Sequence, residues 1–181
     1  MVDNKPEKRK TMKKLLFLLL ILSVKISVAQ DKVFVTASSP DGKYSINHLK
    51  GWTPTFGSGN ILVSLKANTN DADNIQIQLA LTKEENIAST LTLDDFAARN
   101  FILIKNMLNA NVTEKGTATI NVAEAQVTAY TYDINEREHK GLVYFFIQNG
   151  NAYQLVIHSA LSDFTSMEPV FKQIAESLTI K

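Results

Sequence analysis

Residues 142–159 constrain the fold of this chain more than any other stretch. Leu142-Val143-Tyr144-Phe145-Phe146-Ile147 is apolar at consecutive positions, not at alternate ones. Successive side chains of a strand point to opposite faces, so a strand with this run needs cover on both sides. Asn149-Gly150 follows, a strong hairpin signal because both residues accept the positive φ of a two-residue turn. Residues 152–159 read as the returning strand. A hairpin of this composition belongs in the middle of a sheet, with a layer above it and a layer below.

The remaining segments supply the rest of the sheet and both layers. Residues 33–37, 43–47, 61–67, 75–81, 117–121 and 123–132 are short or alternating strand patterns. Ser39-Pro40-Asp41-Gly42 is a turn, with proline presetting φ and glycine accepting a positive one. Asn68-Thr69-Asn70-Asp71-Ala72-Asp73-Asn74 is a polar turn that makes 61–67 and 75–81 a hairpin. In 123–132, Ala125, Val127, Ala129 and Thr131 share one face, and Gln126, Thr128, Tyr130 and Tyr132 share the other. Residues 133–140 read as a charged connection, and residues 50–59 as a loop rich in Gly and Pro.

Two segments carry a helical period. Thr92-Leu93-Asp94-Asp95 is a variant of the capping box. Leu93, Phe96, Ala97, Phe101, Ile104, Met107 and Leu108 continue it, predicting a helix over 93–109 that buries this stripe. Phe164, Met167, Phe171, Ile174 and Leu178 predict a second helix, regular from about Met167, because Pro169 fits a first turn. Strands cluster and short turns join them. The fold class is therefore α+β, a largely antiparallel β-sheet flanked by helices.

Residues 1–29 read as a secretory signal peptide. Lys13 and Lys14 precede a ten-residue apolar run, 15–24, and Ser27-Val28-Ala29 places small residues before a cut ahead of Gln30. A membrane-spanning helix needs roughly 20 apolar residues, so no permanent anchor is expected there. Met12 looks like the natural start, which makes 1–11 a start-site artefact. The mature domain would be 30–181, exported to the periplasm or beyond. Taking the leader's seven basic and two acidic residues from 19 and 18 leaves 12 and 16, a formal charge of −4. A mildly acidic domain lacks the basic field that nucleic-acid binding needs. The sequence has no cysteine, which removes thiolate catalysis, cysteine metal sites, disulfides and a lipid-bearing lipobox.

No catalytic constellation stands out. His48, His139 and His158 have no helical i,i+3 or i,i+4 spacing that would make a local metal pair. His139 reads as part of a solvated charged loop, and His158 as a strand-end residue. Asp71-Ala72-Asp73-Asn74 resembles half a calcium loop but lacks its glycine and its bidentate acid, so it reads as a turn. Asp94 and Asp95 are the acids that a helix N-terminus favours. Nucleophile-elbow, dinucleotide and phosphate-loop motifs do not occur, and no cofactor is expected. Trp52 and Phe56 are the candidate partner-binding residues, since Trp on a Gly- and Pro-rich loop suits an interface anchor. The competing and simpler role for Trp52 is a plug at one end of the core.

Several segments resemble the PsbP/Mog1-like superfamily, including the DcrB-like and DUF1795 bacterial exported proteins. They are Tyr44-Ser45-Ile46 with Gly51-Trp52, Leu91-Thr92-Leu93-Asp94-Asp95-Phe96, Ala123-Glu124-Ala125, Gly150-Asn151-Ala152-Tyr153-Gln154-Leu155, and the Phe164 to Leu178 helix. A proline that often precedes the tryptophan in that family is replaced here by His48-Leu49-Lys50. The resemblance implies an α/β/α sandwich over residues 43–180 and a non-catalytic role in binding another envelope protein. The alternative is a carrier of a small apolar ligand between sheet and helices. A hydrolase ranks third.

Overall fold

The computed structural model describes residues 32–58, 60–67 and 77–181. The expected leader and the Asp71-Ala72-Asp73-Asn74 turn lie outside the described residues. One compact unit runs from Val33 to Lys181. In chain order its elements are β1 (Phe34–Ser38), β2 (Tyr44–Leu49), β3 (Thr53–Ser58), β4 (Ile61–Lys66), β5 (Gln78–Glu84), α1 (Leu93–Leu108), β6 (Asn111–Ile120), β7 (Ala123–Ile134), β8 (Arg137–Gln148), β9 (Asn151–Ala160), α2 (Leu161–Glu176) and β10 (Thr179–Ile180).

The main sheet has the order β3-β4-β5-β9-β8-β7-β6, and every pairing in it is antiparallel. The doubly apolar hairpin is central, as its composition requires. Leu142, Tyr144 and Phe146 of β8 join Leu155 and Ile157 of β9 on one face. There they meet Phe164, Phe171 and Ile174 of α2, together with Ile46 and Ile180 from a small second sheet, β1-β2-β10. Val143 and Phe145 point the other way, towards Phe96 and Ala97 of α1 and towards Tyr130 and Tyr132 of β7. Helices thus lie on both faces, and all of these side chains are buried.

The hairpin turns follow from their residues. Asn149 and Gly150 both have positive φ (51° and 71°), the geometry of a two-residue turn that matches strand twist. Gly141 sits opposite Tyr130 in the β7–β8 register, and a β-carbon there would collide with the Tyr130 ring. Glycine is what lets that ring pass over β8. The two sheets are pinned at the C-terminal end of the unit. Thr179 and Ile180 pair with Ser45 and Tyr44, and the Asn47 N–H donates to Ser177 Oγ at 2.9 Å. The Asn121 amide donates to the Ile180 carbonyl at 3.1 Å.

Besides β10, a strand that the sequence pattern does not announce, four segments differ from the sequence expectation. Residues 53–58, read as loop, form β3 at the sheet edge, the one place where the missing N–H of Pro54 costs no ladder bond. Strand β6 is ten residues long instead of five; it is the other edge and mostly exposed, so its side chains have no apolar alternation to betray it. The charged connection at 133–140 is mostly strand, turning at Asn135-Glu136, both of positive φ. Helix α2 starts at Leu161 and carries Pro169 in its interior. The carbonyl that Pro169 leaves without an intrahelical donor is that of Thr165, and both residues are exposed, so water can serve it.

Candidate functional site

The feature that sets this molecule apart from a sealed sandwich is helix α1. Its first turn is well tied. Thr92 Oγ1 accepts from the Asp95 N–H at 3.1 Å, and its hydroxyl donates to the Asp95 carboxylate at 2.7 Å. Arg99 donates to Glu84 of β5 at 2.7 Å, and the Gln126 amide donates to Asp94. Phe96 lies edge-on to Phe145, centroids 5.8 Å apart. Asn109 closes the helix in the left-handed region, φ 51°, where asparagine is tolerated.

The second half of the same helix is poorly covered. The expected buried stripe holds for Phe96 and Ala97 and in part for Phe101, Ile104 and Leu108. Met107, expected in that stripe, is 82% exposed, and Ile102 and Leu103 are 56% and 55% exposed. Beneath this half lies a groove of about 370 Å³. Leu103, Ile104, Met107 and Leu108 of α1 form its wall, and Val156, Tyr130, Tyr132 and Ile134 from the sheet form its floor. Asn100, Gln154 and His158 are its polar lining residues. None of the residues lining the groove is Asp, Glu, Lys or Arg, and none is Ser or Thr.

An aromatic column runs along that floor. Phe101 meets Tyr130 edge-on at 5.9 Å, Tyr130 stacks on Tyr132 at 5.8 Å, and Tyr132 stacks on His139 at 5.3 Å. The Tyr132 hydroxyl and His158 Nδ1 share a hydrogen bond of 2.7 Å. Burial holds the His158 imidazole below its ordinary value of 6.5, and His139 nearby adds to the effect. Burial also pushes the Tyr132 hydroxyl up to about 12 and raises that of Tyr130 further. The two tyrosines are therefore uncharged at neutral pH. The column offers hydrogen bonds and ring faces to the groove beside it.

The residues singled out in the sequence lie elsewhere, or in different roles. Trp52 is half-buried, its ring 6.4 Å from Phe171 of α2, and Phe56 is half-buried on β3, paired with Val63. Both pack on the core cluster beneath α2, not the one beneath α1. His48 is buried, with Nδ1 2.9 Å from the Leu49 carbonyl. His139 belongs to strand β8, not to a loop. The His158–Tyr132 pair was not read from the sequence. It joins residues 26 apart on non-adjacent strands. The only hint was that Tyr130 and Tyr132 share a face. Among the described residues no group of three or more His, Asp or Glu could hold a metal ion, and no helix is long and apolar enough to cross a membrane.

The sequence model of the PsbP family matches residues 32–180, the whole of the folded unit but Lys181. The chain belongs to the PsbP family. Solved structures agree on the fold of this PsbP-family domain. The solution structure of cyanobacterial PsbP (CyanoP) from Synechocystis sp. PCC 6803 superposes with a TM-score of 0.59 at 14% identity, covering 87% of this chain and 98% of that one. The Ran-binding protein Mog1p of Saccharomyces cerevisiae gives 0.57 at 6% identity, covering 83% and 96%. LpqN of Mycobacterium tuberculosis, described as involved in cell envelope biogenesis, gives 0.54 at 12% identity, covering 84% and 87%. The PsbP/Mog1-like assignment and the antiparallel α+β architecture expected from the sequence are thereby established. At these identities the likeness concerns fold. A search of the curated proteins by sequence gives no match.

Proposed function

We propose that this PsbP-family protein is a non-catalytic binding factor of the cell envelope, which it reaches by cleavage of its leader between Ala29 and Gln30. The observation that carries the reading is the uncovered second half of α1. An amphipathic helix in a monomer turns its apolar stripe to the core, whereas Ile102, Leu103 and Met107 here stay exposed together on one helix. Exposed apolar clusters of this kind mark binding sites. A partner protein bound there is the first reading. The chain's structural neighbours include a Ran-binding protein, whose name suits a binding role, and a protein involved in cell envelope biogenesis, whose name suits the location.

A photo-crosslinking residue at position 102 tests it in cells that express the full chain. Crosslinking to one defined envelope protein, lost when Leu103→Glu is added, is the expected result. Equal crosslinking with and without Leu103→Glu would end the reading. Ile102 and Leu103 are exposed, so neither change disturbs the core. A second reading, a carrier of a small apolar molecule, is favoured by the concavity beside this ridge. Its volume of about 370 Å³ falls within the usual range for ligand pockets, roughly 300–1,000 Å³.

A further inference from the structure

The groove beneath α1 is specific about charge, and that specificity identifies what it can hold. We propose that it binds an uncharged amphiphile, its apolar body along Leu103, Ile104, Met107 and Val156 and its polar end at His158, and that acidification makes it let go. The inference rests on the carrier reading above and adds the ligand's chemistry and its control.

The class of ligand follows from the lining. Leu, Ile, Met and Val side chains and two tyrosine faces favour an apolar body. The groove's volume is that of about a dozen water molecules, enough for one slender chain or a small ring system. Hydrogen-bonding groups come from Asn100, Gln154 and His158, and no formally charged residue faces the space. A carboxylate or ammonium on the ligand would lose its hydration here without gaining a counter-charge, which is costly. An uncharged head, such as a hydroxyl or amide, would exchange hydrogen bonds with water for hydrogen bonds with these side chains.

The control follows from His158. It is the one residue of the lining that can gain a charge near neutral pH. Around it, β7 contributes the Tyr130 and Tyr132 hydroxyls, β8 contributes His139, and α1 faces the groove with Asn100 and apolar side chains. On β5, Gln78 is its register partner. No carboxylate stands among these groups to stabilise an imidazolium. An apolar body laid over His158 removes water from it and disfavours the charged form further. The imidazole in the complex then ionises at a lower pH than in the free protein. Affinity for the uncharged ligand is complete above the free protein's value, itself below 6.5, and falls as pH drops through it.

Binding of N-phenyl-1-naphthylamine, an uncharged fluorescent probe, to the purified domain tests both layers. At about pH 7.5 the wild-type protein should bind, and Met107→Glu, a change at an exposed wall position, should bind at least about tenfold more weakly. Between about pH 7.5 and about pH 5 the wild-type affinity should fall by about threefold or more, and His158→Gln should bind at both pH values alike. His139→Gln should shift the midpoint of the wild-type response to higher pH, because His139 nearby helps to hold His158 below its ordinary value. Probe binding that Met107→Glu leaves intact overturns the carrier reading, and the control with it. Met107-dependent binding that is unchanged by pH, or whose pH response survives in His158→Gln, overturns the control alone.

Discussion

Tryptophan is the residue whose position most sharpens its role. On sequence grounds Trp52 could be a partner anchor or a core plug. In the fold it is half-buried, with Phe171 6.4 Å from its ring, and its backbone N–H donates to the Leu49 carbonyl at 3.0 Å. Trp52→Ala should cost about 2 kcal/mol, less than the 3–5 kcal/mol of a fully buried aromatic, and lower the thermal midpoint by roughly 4–8 °C. Scanning calorimetry measures this. A variant that keeps its midpoint and loses partner crosslinking would return Trp52 to the role of anchor. Single residues also mark the limit of what the sequence discloses. Gly141 reads as an unremarked break in an apolar strand until the Tyr130 ring is seen opposite it. His158 reads as a strand end until Tyr132 reaches it across β8.

At the scale of elements, legibility tracked burial. The central strands and α1 were readable because each buries one face or both, which imposes a period on the sequence. The edge strand β3 was not, and β6 was legible only over its last residues, because solvent imposes none; Pro54 and the charged Glu114 and Lys115 are what an edge tolerates. Helix α1 is a mixed case. Its start was written in Thr92 and Asp95, while the same period that marked its buried half also promised burial for Met107. A helical stripe records which face is apolar, not how far the sheet extends beneath it. The groove could therefore not be read from the sequence. Helix α1 should also be the less stable of the two helices. Its uncovered half should exchange its amide hydrogens faster than α2, whose Phe164, Phe171 and Ile174 are fully buried. Thr92→Ala should remove about 1 kcal/mol, and hydrogen exchange should show that loss chiefly in α1. Equal protection in both helices would contradict this account.

For the whole molecule, acid is the informative variable. His158 is held below 6.5 by burial, so from there downward the unfolded chain takes up its proton before the folded one and stability declines. Glu168 adds a second stage. Hydrogen bonds from Lys140 at 2.8 Å and from Lys172 hold its carboxyl below 4.5. The stability that this provides is present above 4.5 and is lost as pH falls through the folded-state value. The midpoint of thermal unfolding should therefore drop in two steps on acidification. His158→Gln should flatten the upper step, and Glu168→Gln the lower. A wild-type midpoint constant from neutral pH to below 4 would show that neither linkage operates.

The pairing of β10 with β2 has a consequence for the order in which this chain can assemble. Strands β6 to β9 form a meander joined by two-residue turns, so they can zip from local contacts as soon as they exist. The small sheet cannot. Its closing hydrogen bond spans 130 residues, from Asn47 to Ser177, and the entropy of closing so long a loop is met only late. A ribosome or a translocation channel that still holds Thr179 and Ile180 therefore holds a domain whose β1–β2 hairpin has no final dock, and the native state is reached only after release.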